Sequence, residues 1–166
     1  SLYHKKLGKD FVQDGKPLNR LIAMEDRPPT DDAWNINAYI NEKTWNLDEL
    51  ASCELVECGP VRCVVRTSRK FMNSVIQQDY IIYADIPRID VRNFIDWKEK
   101  NILLKADFPF DVNAMTATYD IQFGNIERST TTNTSWDFAQ FEVCAHRWAD
   151  LSEESFGMSL LNDCKY

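Results

Sequence analysis

Alternation of apolar and polar residues is the dominant pattern along the chain. In residues 115–123 every second residue is apolar and those between are polar. This period of two places one face on a core and the other in water, as in a half-buried strand. Gly124 follows directly and predicts a turn. Strands are also predicted over residues 61–65, 75–83, 89–97, 103–108, 141–145 and 156–161.

The spacing of these strands predicts the fold class. Strand patterns recur about every ten residues without long helical patterns between them, which favours an all-β antiparallel β-sandwich over an α/β layout. The competing segment around Trp45, Leu47 and Leu50 could form a short helical turn. Residues 27–32 and 128–135 are predicted loops. Since no repeat or linker is visible, residues 1–166 are predicted to form a single domain.

Composition and charge exclude several classes of protein. The 166 residues are 44% hydrophobic and carry a formal net charge of -7, which disfavours binding to nucleic acid. No apolar run approaches the roughly 20 residues of a membrane-spanning helix, and the first residues do not resemble a secretory signal. The five cysteines are an odd number, so they cannot all pair within the chain. We therefore expect reduced thiols and a cytoplasmic protein.

One group of residues offers the elements of a catalytic or metal site. Glu142, Cys144 and His146 would share one face of a strand, and Cys144 or Cys164 could act as a nucleophile beside His146. A zinc site needs three or four converging ligands, and no ligand-spacing motif surrounds His146. We therefore expect an ordinary strand histidine, with no catalytic and no metal-binding residue in the chain.

The predicted loop over residues 128–135, with the residues that follow it, combines several kinds of polar and aromatic side chain. Arg128, Asn133, Trp136 and Asp137 supply a cation, an amide, an indole and a carboxylate. Sugar sites often place polar groups around an aromatic face, so these four residues are candidates for the rim of a substrate site or for an interdomain contact. The alternative, which turn chemistry favours, is an Asn and Ser turn with Trp136 as the anchor of the loop.

Several longer segments carry a family resemblance. The most specific are Asn-Thr-Ser-Trp-Asp at 133–137, Arg-Trp-Ala-Asp-Leu-Ser at 147–152 and Leu-Asn-Asp-Cys-Lys-Tyr at 161–166. Together with others, such as Cys-Gly-Pro-Val-Arg at 58–62, they resemble the C-terminal β-rich region of α-mannosidases of glycoside hydrolase family 38, of the bacterial and vacuolar/cytosolic type. The resemblance covers nearly the whole chain. It departs at Ser129, where the family usually has proline, and at Thr131, where it often has histidine.

This resemblance implies a larger parent enzyme. Family members remove α-linked mannose with retention and carry an aspartate nucleophile and a divalent metal, usually zinc, in an N-terminal barrel. The chain would then be an inactive piece of a galactose-mutarotase-like β-sandwich that continues beyond Tyr166 and packs against that missing barrel. The implied partners are a mannose-containing oligosaccharide and, in the full enzyme, further copies of it.

Two alternatives to this interpretation remain. The chain could be a freestanding carbohydrate-binding module, which would bind mannose or mannan by itself. It could also be a hydrolase in its own right that uses Cys144 and His146.

Overall fold

The structure is a computed structural model that describes residues 2–31 and 34–163. In this part of the chain there are thirteen β-strands, one 3₁₀ turn (Ile40–Glu42) and one short helix, α1 (Ser135–Ala139). The strands are β1 (Tyr3–His4), β2 (Lys9–Asp10), β3 (Arg20–Glu25), β4 (Thr44–Asn46), β5 (Ser52–Cys58), β6 (Arg62–Phe71), β7 (Ser74–Tyr83), β8 (Ile89–Asp96), β9 (Ile102–Asp107), β10 (Thr116–Ile121), β11 (Gly124–Ser129), β12 (Trp148–Ser152) and β13 (Gly157–Leu161). The prediction of an all-β protein is confirmed.

The strands form four sheets in two compact units. The first unit comprises the described residues among 1–20, 28–39 and 106–166, and it contains the sheet β11-β10-β12-β13 and the pair β1-β2. The second unit comprises residues 21–27 and 40–105 and contains the sheets β5-β6-β7-β8 and β4-β3-β9. Neighbouring strands whose register is defined run antiparallel, as predicted.

The two sheets of the second unit pack face to face as a β-sandwich. Leu21 and Ala23 of β3 share one core with Ile76 of β7, and the side chains of Ala23 and Ile76 are fully buried. The ring centroids of Trp45 in β4 and Phe71 in β6 lie 5.8 Å apart, in an edge-to-face geometry that links the two layers. Four further partly buried or buried hydrophobic residues complete this core: Leu47, Trp97, Ile102 and Leu104.

A buried polar network continues the same face of the second unit. Gln78 follows Ile76 by two residues on β7 and is 1% exposed. Its amide oxygen accepts hydrogen bonds from Arg69 Nη1 at 3.2 Å and from the Tyr80 hydroxyl at 3.1 Å, and its amide nitrogen donates to Asn93 Oδ1 at 2.7 Å. Because buried polar groups are costly when unpaired, these bonds favour the observed register of β6, β7 and β8.

The sheet of the first unit is built around the β10–β11 hairpin. Ala117 and Asp120 of β10 are buried, and β12 pairs with the other edge of β10. Elsewhere in this unit the rings of Phe11 and Phe156 pack with their centroids 5.5 Å apart. The Lys9 ammonium lies 3.3 Å from the centroid of the Phe156 ring, so this aromatic pair also carries a cation–π contact.

The strand predicted over residues 115–123 is confirmed in its centre and wrong at its ends. β10 spans Thr116–Ile121, and the chain turns at residues 122–123 because Ile121 pairs with Gly124 across the hairpin. Phe123 lies in this turn with φ of 63° and its side chain is fully exposed, while Met115 is also exposed. Gly124 is therefore the first residue of β11 and adjoins the turn without occupying it.

Other sequence predictions have mixed outcomes. The strands predicted over residues 61–65, 75–83, 89–97, 103–108 and 156–161 are confirmed. They correspond to β6, β7, β8, β9 and β13. The strand predicted over residues 141–145 is wrong, because these residues lie outside the regular strands and β12 begins only at Trp148. Trp45 belongs to β4 and not to a helical turn. Of the loop predicted over residues 128–135, Arg128 and Ser129 belong to β11 and Ser135 begins α1.

Candidate functional site

Arg128 is held on the sheet of the first unit. It lies on β11 opposite Ala117. Its guanidinium carbon is 4.9 Å from the centroid of the Tyr119 ring, and Nη1 donates a hydrogen bond to the carbonyl oxygen of Cys144 at 3.2 Å. Arg128 therefore fastens the irregular segment around Cys144 to the β10–β11 hairpin.

Asp137 has a local structural role at the start of α1. Thr134 is the N-cap, and its hydroxyl accepts a hydrogen bond from the Asp137 backbone N–H at 3.1 Å. In return, Asp137 Oδ2 accepts from the Thr134 backbone N–H at 3.1 Å and from its hydroxyl at 2.8 Å. This reciprocal capping box satisfies donors that a short helix would otherwise leave open, so the Asp137 carboxylate is already engaged.

Trp136 points its indole into solvent. Its side chain is 81% exposed, and those of Phe138 and Phe141 are 56% and 41% exposed. Asn133, Trp136 and Asp137 therefore lie in residues 133–141, which we call the α1 segment, where the capping box fixes the start of the helix and the aromatic rings are exposed.

Glu142, Cys144 and His146 lie in an irregular segment between α1 and β12. The segment that carries Glu142, Cys144 and His146 is not a strand, so the expected shared face is absent. The His146 backbone N–H donates to the carbonyl oxygen of Asp120 at 3.0 Å. Among residues 2–31 and 34–163 no group of three or more His, Cys, Asp or Glu side chains is arranged to hold a metal ion. Cys164 lies outside the described residues.

Asp120 is a buried charged residue that the sequence did not reveal. Its side chain is 5% exposed, and Oδ2 accepts hydrogen bonds from Arg147 Nε at 3.0 Å and from the Arg147 backbone N–H at 3.1 Å. The hydrogen bond from the Arg147 side chain, aided by its positive charge, holds the pKa of Asp120 below its usual value. The alternation along β10 placed Asp120 on the polar side, and no local signal indicated a partner 27 residues away.

A shallow open depression lies on the polar face of the same sheet. Its volume is about 400 Å³, and it is lined by Thr118, Trp148, Asp150, Ser159 and Leu161 from three adjacent strands. Asp150 Oδ1 accepts a hydrogen bond from the Ser152 hydroxyl and Oδ2 accepts one from the Ser159 hydroxyl, each at 2.6 Å. Sequence reasoning missed this surface because β12 was not predicted.

Within the described residues, none of the helices is long and apolar enough to cross a membrane. The observations above define the class: an all-β domain of antiparallel sheets with a short capped helix that displays aromatic side chains. Over residues 1–166 the chain matches the family described as the glycosyl hydrolases family 38 C-terminal domain, and it belongs to that family. The resemblance noted in the sequence is thereby confirmed.

Relatives from three organisms show the extent of the match. The chain is 43% identical over 172 residues to Alpha-mannosidase G of Dictyostelium discoideum, 36% identical over 165 residues to Alpha-mannosidase 2C1 of Homo sapiens, and 35% identical over 179 residues to Alpha-mannosidase of Saccharomyces cerevisiae. These alignments cover 100%, 96% and 100% of the chain. The chain spans only 16% of the length of each of these relatives.

Proposed function

We propose that the chain is the non-catalytic C-terminal β-domain of an α-mannosidase. The observation that carries this proposal is the match of residues 1–166 to the family 38 C-terminal domain. The named relatives are alpha-mannosidases, and the larger part of each one lies outside the match. On this proposal residues 1–166 are one piece of a multidomain glycosidase, and the catalytic barrel lies elsewhere in the parent chain.

The chemistry is assigned to the parent enzyme. It would remove α-linked mannose from the end of an oligosaccharide with retention, which requires two carboxyl groups about 5–5.5 Å apart. Zinc or another divalent metal is expected in that parent. The described residues of this chain do not supply a cluster of suitable ligands, so we assign the metal to the missing barrel.

The α1 segment and Arg128 of β11 together form the proposed surface of contact. We assign Arg128, Asn133, Trp136 and Asp137 to the rim of the substrate site or to the interface with the barrel. The support is physical. Trp136 exposes most of a large apolar ring on a backbone held by a capping box, and tryptophan commonly anchors interfaces when it enters a pocket on a partner.

The location and assembly of the parent enzyme are also proposals. We propose a cytoplasmic enzyme, because Cys53, Cys58, Cys63 and Cys144 are all free thiols, and such thiols persist in reducing compartments. We also propose that the full-length enzyme is a homo-oligomer. Its support is β5, an edge strand whose seven residues are all exposed and whose open backbone groups can pair with another strand.

Removal of residues 1–166 from the full-length enzyme tests the role of the domain. Because the domain would support the barrel, we expect the truncated enzyme to lose most of its kcat/KM for an α-mannoside or to melt at a lower temperature. A truncated enzyme with the kinetics and Tm of the full-length enzyme would contradict a supporting role.

A second candidate function is a freestanding carbohydrate-binding module. The observation that favours it is the depression on the β10-β12-β13 face, where Trp148 lies beside Asp150 and Ser159. Calorimetric titration of the chain with mannose and mannan tests this candidate. Heat that disappears in Trp148→Ala and remains in Trp136→Ala would support it, and no heat at millimolar sugar would exclude it.

A further inference from the structure

Two cysteine side chains meet at the turn end of the β5–β6 hairpin in the second unit. Cys58 is the last residue of β5, and it lies directly opposite Cys63 near the start of β6. Their Sγ atoms are 2.9 Å apart, close enough for one thiol to hydrogen-bond to the other. Cys58 is exposed and Cys63 is half-buried, so reagents in solution can reach the pair.

A β-bulge in β5 creates this juxtaposition. Leu55 pairs with Val65 but Glu57 pairs with Val64, so one extra residue, Val56, is inserted in β5 between them. If the register set by Leu55 and Val65 continued without this insertion, Cys58 would pair with Arg62. Bulges re-aim side chains in this way, and the result here is two thiols on one face of the sheet.

Cys58 and Cys63 occupy a non-hydrogen-bonded pair position of the antiparallel hairpin. A disulfide bond between the strands at such a position needs little movement of the backbone. The Gly59 backbone N–H donates to the carbonyl oxygen of Arg62 at 3.0 Å, which makes Cys58 and Cys63 a non-hydrogen-bonded pair. In such pairs the Cα atoms are about 4.5 Å apart and the side chains approach closely. A disulfide spans Cα distances of about 4.4–6.8 Å, so rotation of the two side chains suffices to join them.

We propose that Cys58 and Cys63 form a reversible intramolecular disulfide, a redox modification site that reacts with low-molecular-weight disulfides such as glutathione disulfide. One protein thiolate attacks a sulfur of glutathione disulfide and releases one glutathione, leaving a mixed disulfide. The second protein thiol then attacks the protein sulfur of this bond and releases the other glutathione. In total, two protein S–H bonds are lost, one S–S bond forms, and glutathione disulfide is reduced by two electrons to two thiols.

The neighbouring cysteines provide an internal comparison. Cys53 lies on the same strand and is exposed, but its partner across the hairpin is Thr67. Cys144, in the other unit, is exposed as well. Neither lies opposite a thiol in a strand pair, so exposure to glutathione disulfide should stop at a mixed disulfide on these two residues and proceed to an internal bond only at Cys58 and Cys63.

The hydrogen bond within the pair also bears on its chemistry. It raises the pKa of the Cys58 thiol, because the charge and the thiol of Cys63 disfavour a thiolate at Cys58. A raised pKa lowers the fraction of the Cys58 thiolate, the form that attacks a disulfide, and conversion of the pair to a disulfide requires an oxidant. The trigger is the redox state of the solution.

Peptide mapping tests the proposal. The chain is reduced, incubated in glutathione buffers of increasing oxidised fraction, blocked with a thiol-alkylating reagent and digested with trypsin. Cleavage after Lys43, Arg62 and Arg66 separates Cys58, in peptide 44–62, from Cys63, in peptide 63–66. We expect these two peptides to be recovered linked, with the loss of two hydrogen atoms relative to the sum of their masses, and to separate again on reduction.

Cysteine variants identify which sulfurs are joined, because peptide 44–62 also contains Cys53. The linked peptides should persist in Cys53→Ser and disappear in both Cys58→Ser and Cys63→Ser. Circular dichroism shows whether each variant is folded. The proposal is overturned if the peptides stay separate across all buffers in the folded wild-type chain, or if the link survives in Cys58→Ser through Cys53.

Discussion

Asp120 and Arg147 form a two-point contact that joins parts of the chain 27 residues apart. The Asp120 carboxylate accepts from both the guanidinium and the backbone N–H of Arg147, and its own carbonyl accepts from the backbone N–H of His146. Three hydrogen bonds to one residue therefore fix the chain immediately before β12 begins at Trp148. This contact positions the strand that carries Trp148 and Asp150 beside β10.

Asp120→Asn should destabilise the chain in a pH-dependent way. Because Arg147 lowers the pKa of Asp120 in the folded state, the stabilisation is present above the ordinary pKa of aspartate, about 3.9, and is lost as the pH falls through the lower folded-state value. We expect the wild type to have a higher Tm than Asp120→Asn at pH 7. This difference in Tm should become smaller below about pH 4. Thermal unfolding monitored by circular dichroism measures both.

Asp14→Asn is the control for this experiment, because Asp14 is exposed in a turn of the same unit. It should change Tm little at either pH. A pH-independent difference between the wild type and Asp120→Asn would contradict the assigned role of the ionised carboxylate.

Ile76→Ala should strongly destabilise the sandwich of the second unit. Ile76 is fully buried, and truncation of such a side chain costs about 2–5 kcal/mol. Ile82→Ala is the matched control, since Ile82 lies on the same strand and face but is 46% exposed. Its cost should be below about 1 kcal/mol, the value of the small apolar area it has buried. Urea unfolding of both variants gives the comparison, and equal costs would refute the assignment of the core to this part of the face.

Gly157→Ala should disturb the β12–β13 hairpin. A Cβ at Gly157 would overlap the Ser152 side chain and lie 2.9 Å from the Ser152 Cα, so the strands must separate. Overpacking of this kind costs about 1–3 kcal/mol. Gly124→Ala, where no atom lies within 4 Å of the added carbon, should be tolerated. The unfolding free energies of the two variants test this, and the same stability for both would contradict the close approach of Gly157 to Ser152.

Trp136→Ala should affect the full-length enzyme more than the 166-residue chain if Trp136 lies in the interface. In the 166-residue chain the indole is largely in solvent, so its loss should change stability by no more than about 0.5 kcal/mol. In the full-length enzyme the loss of an interface tryptophan costs about 1–2 kcal/mol, which would appear as a KM raised roughly tenfold or as a lower Tm.

Trp34→Ala provides the control, because Trp34 is 92% exposed and is not assigned to the contact. Arg128→Ala should raise the KM or lower the Tm of the full-length enzyme. It should also lower the Tm of the 166-residue chain, because Arg128 contacts the Cys144 carbonyl and the Tyr119 ring. Unchanged KM and Tm in the full-length Trp136 and Arg128 variants would remove the α1 segment from the proposed interface.

The sequence pattern predicted the strands that lie within one regular sheet. β7 and β8 were predicted almost to the residue. β7 is rich in β-branched and aromatic residues, which favour strands, and β8 shows apolar alternation with one polar gap at Asn93. The turn between β10 and β11 was predicted too late in the sequence. The actual turn contains Phe123 with positive φ, a conformation that favours glycine or asparagine over an aromatic residue. Because glycine favours turn conformations, the turn was predicted at Gly124.

The features that escaped prediction depend on partners distant in sequence. Residues 141–145 alternate like a strand, yet Arg128 binds the Cys144 carbonyl and Asp120 binds the segment that follows. In the candidate site, the residue types around Trp136 were apparent, whereas the use of the Asp137 carboxylate in a cap was not. The pairing of Cys58 with Cys63 depends on the bulge at Val56, and no regular repeat in the sequence indicates a bulge.

The most direct test of the proposed function compares the purified 166-residue chain with the full-length enzyme on a chromogenic α-mannoside, with and without added zinc. We expect the full-length enzyme to release the chromophore and the chain to release none above the blank in either condition. Release by the chain that persists through successive purification steps and scales with its concentration would contradict a non-catalytic role for this domain.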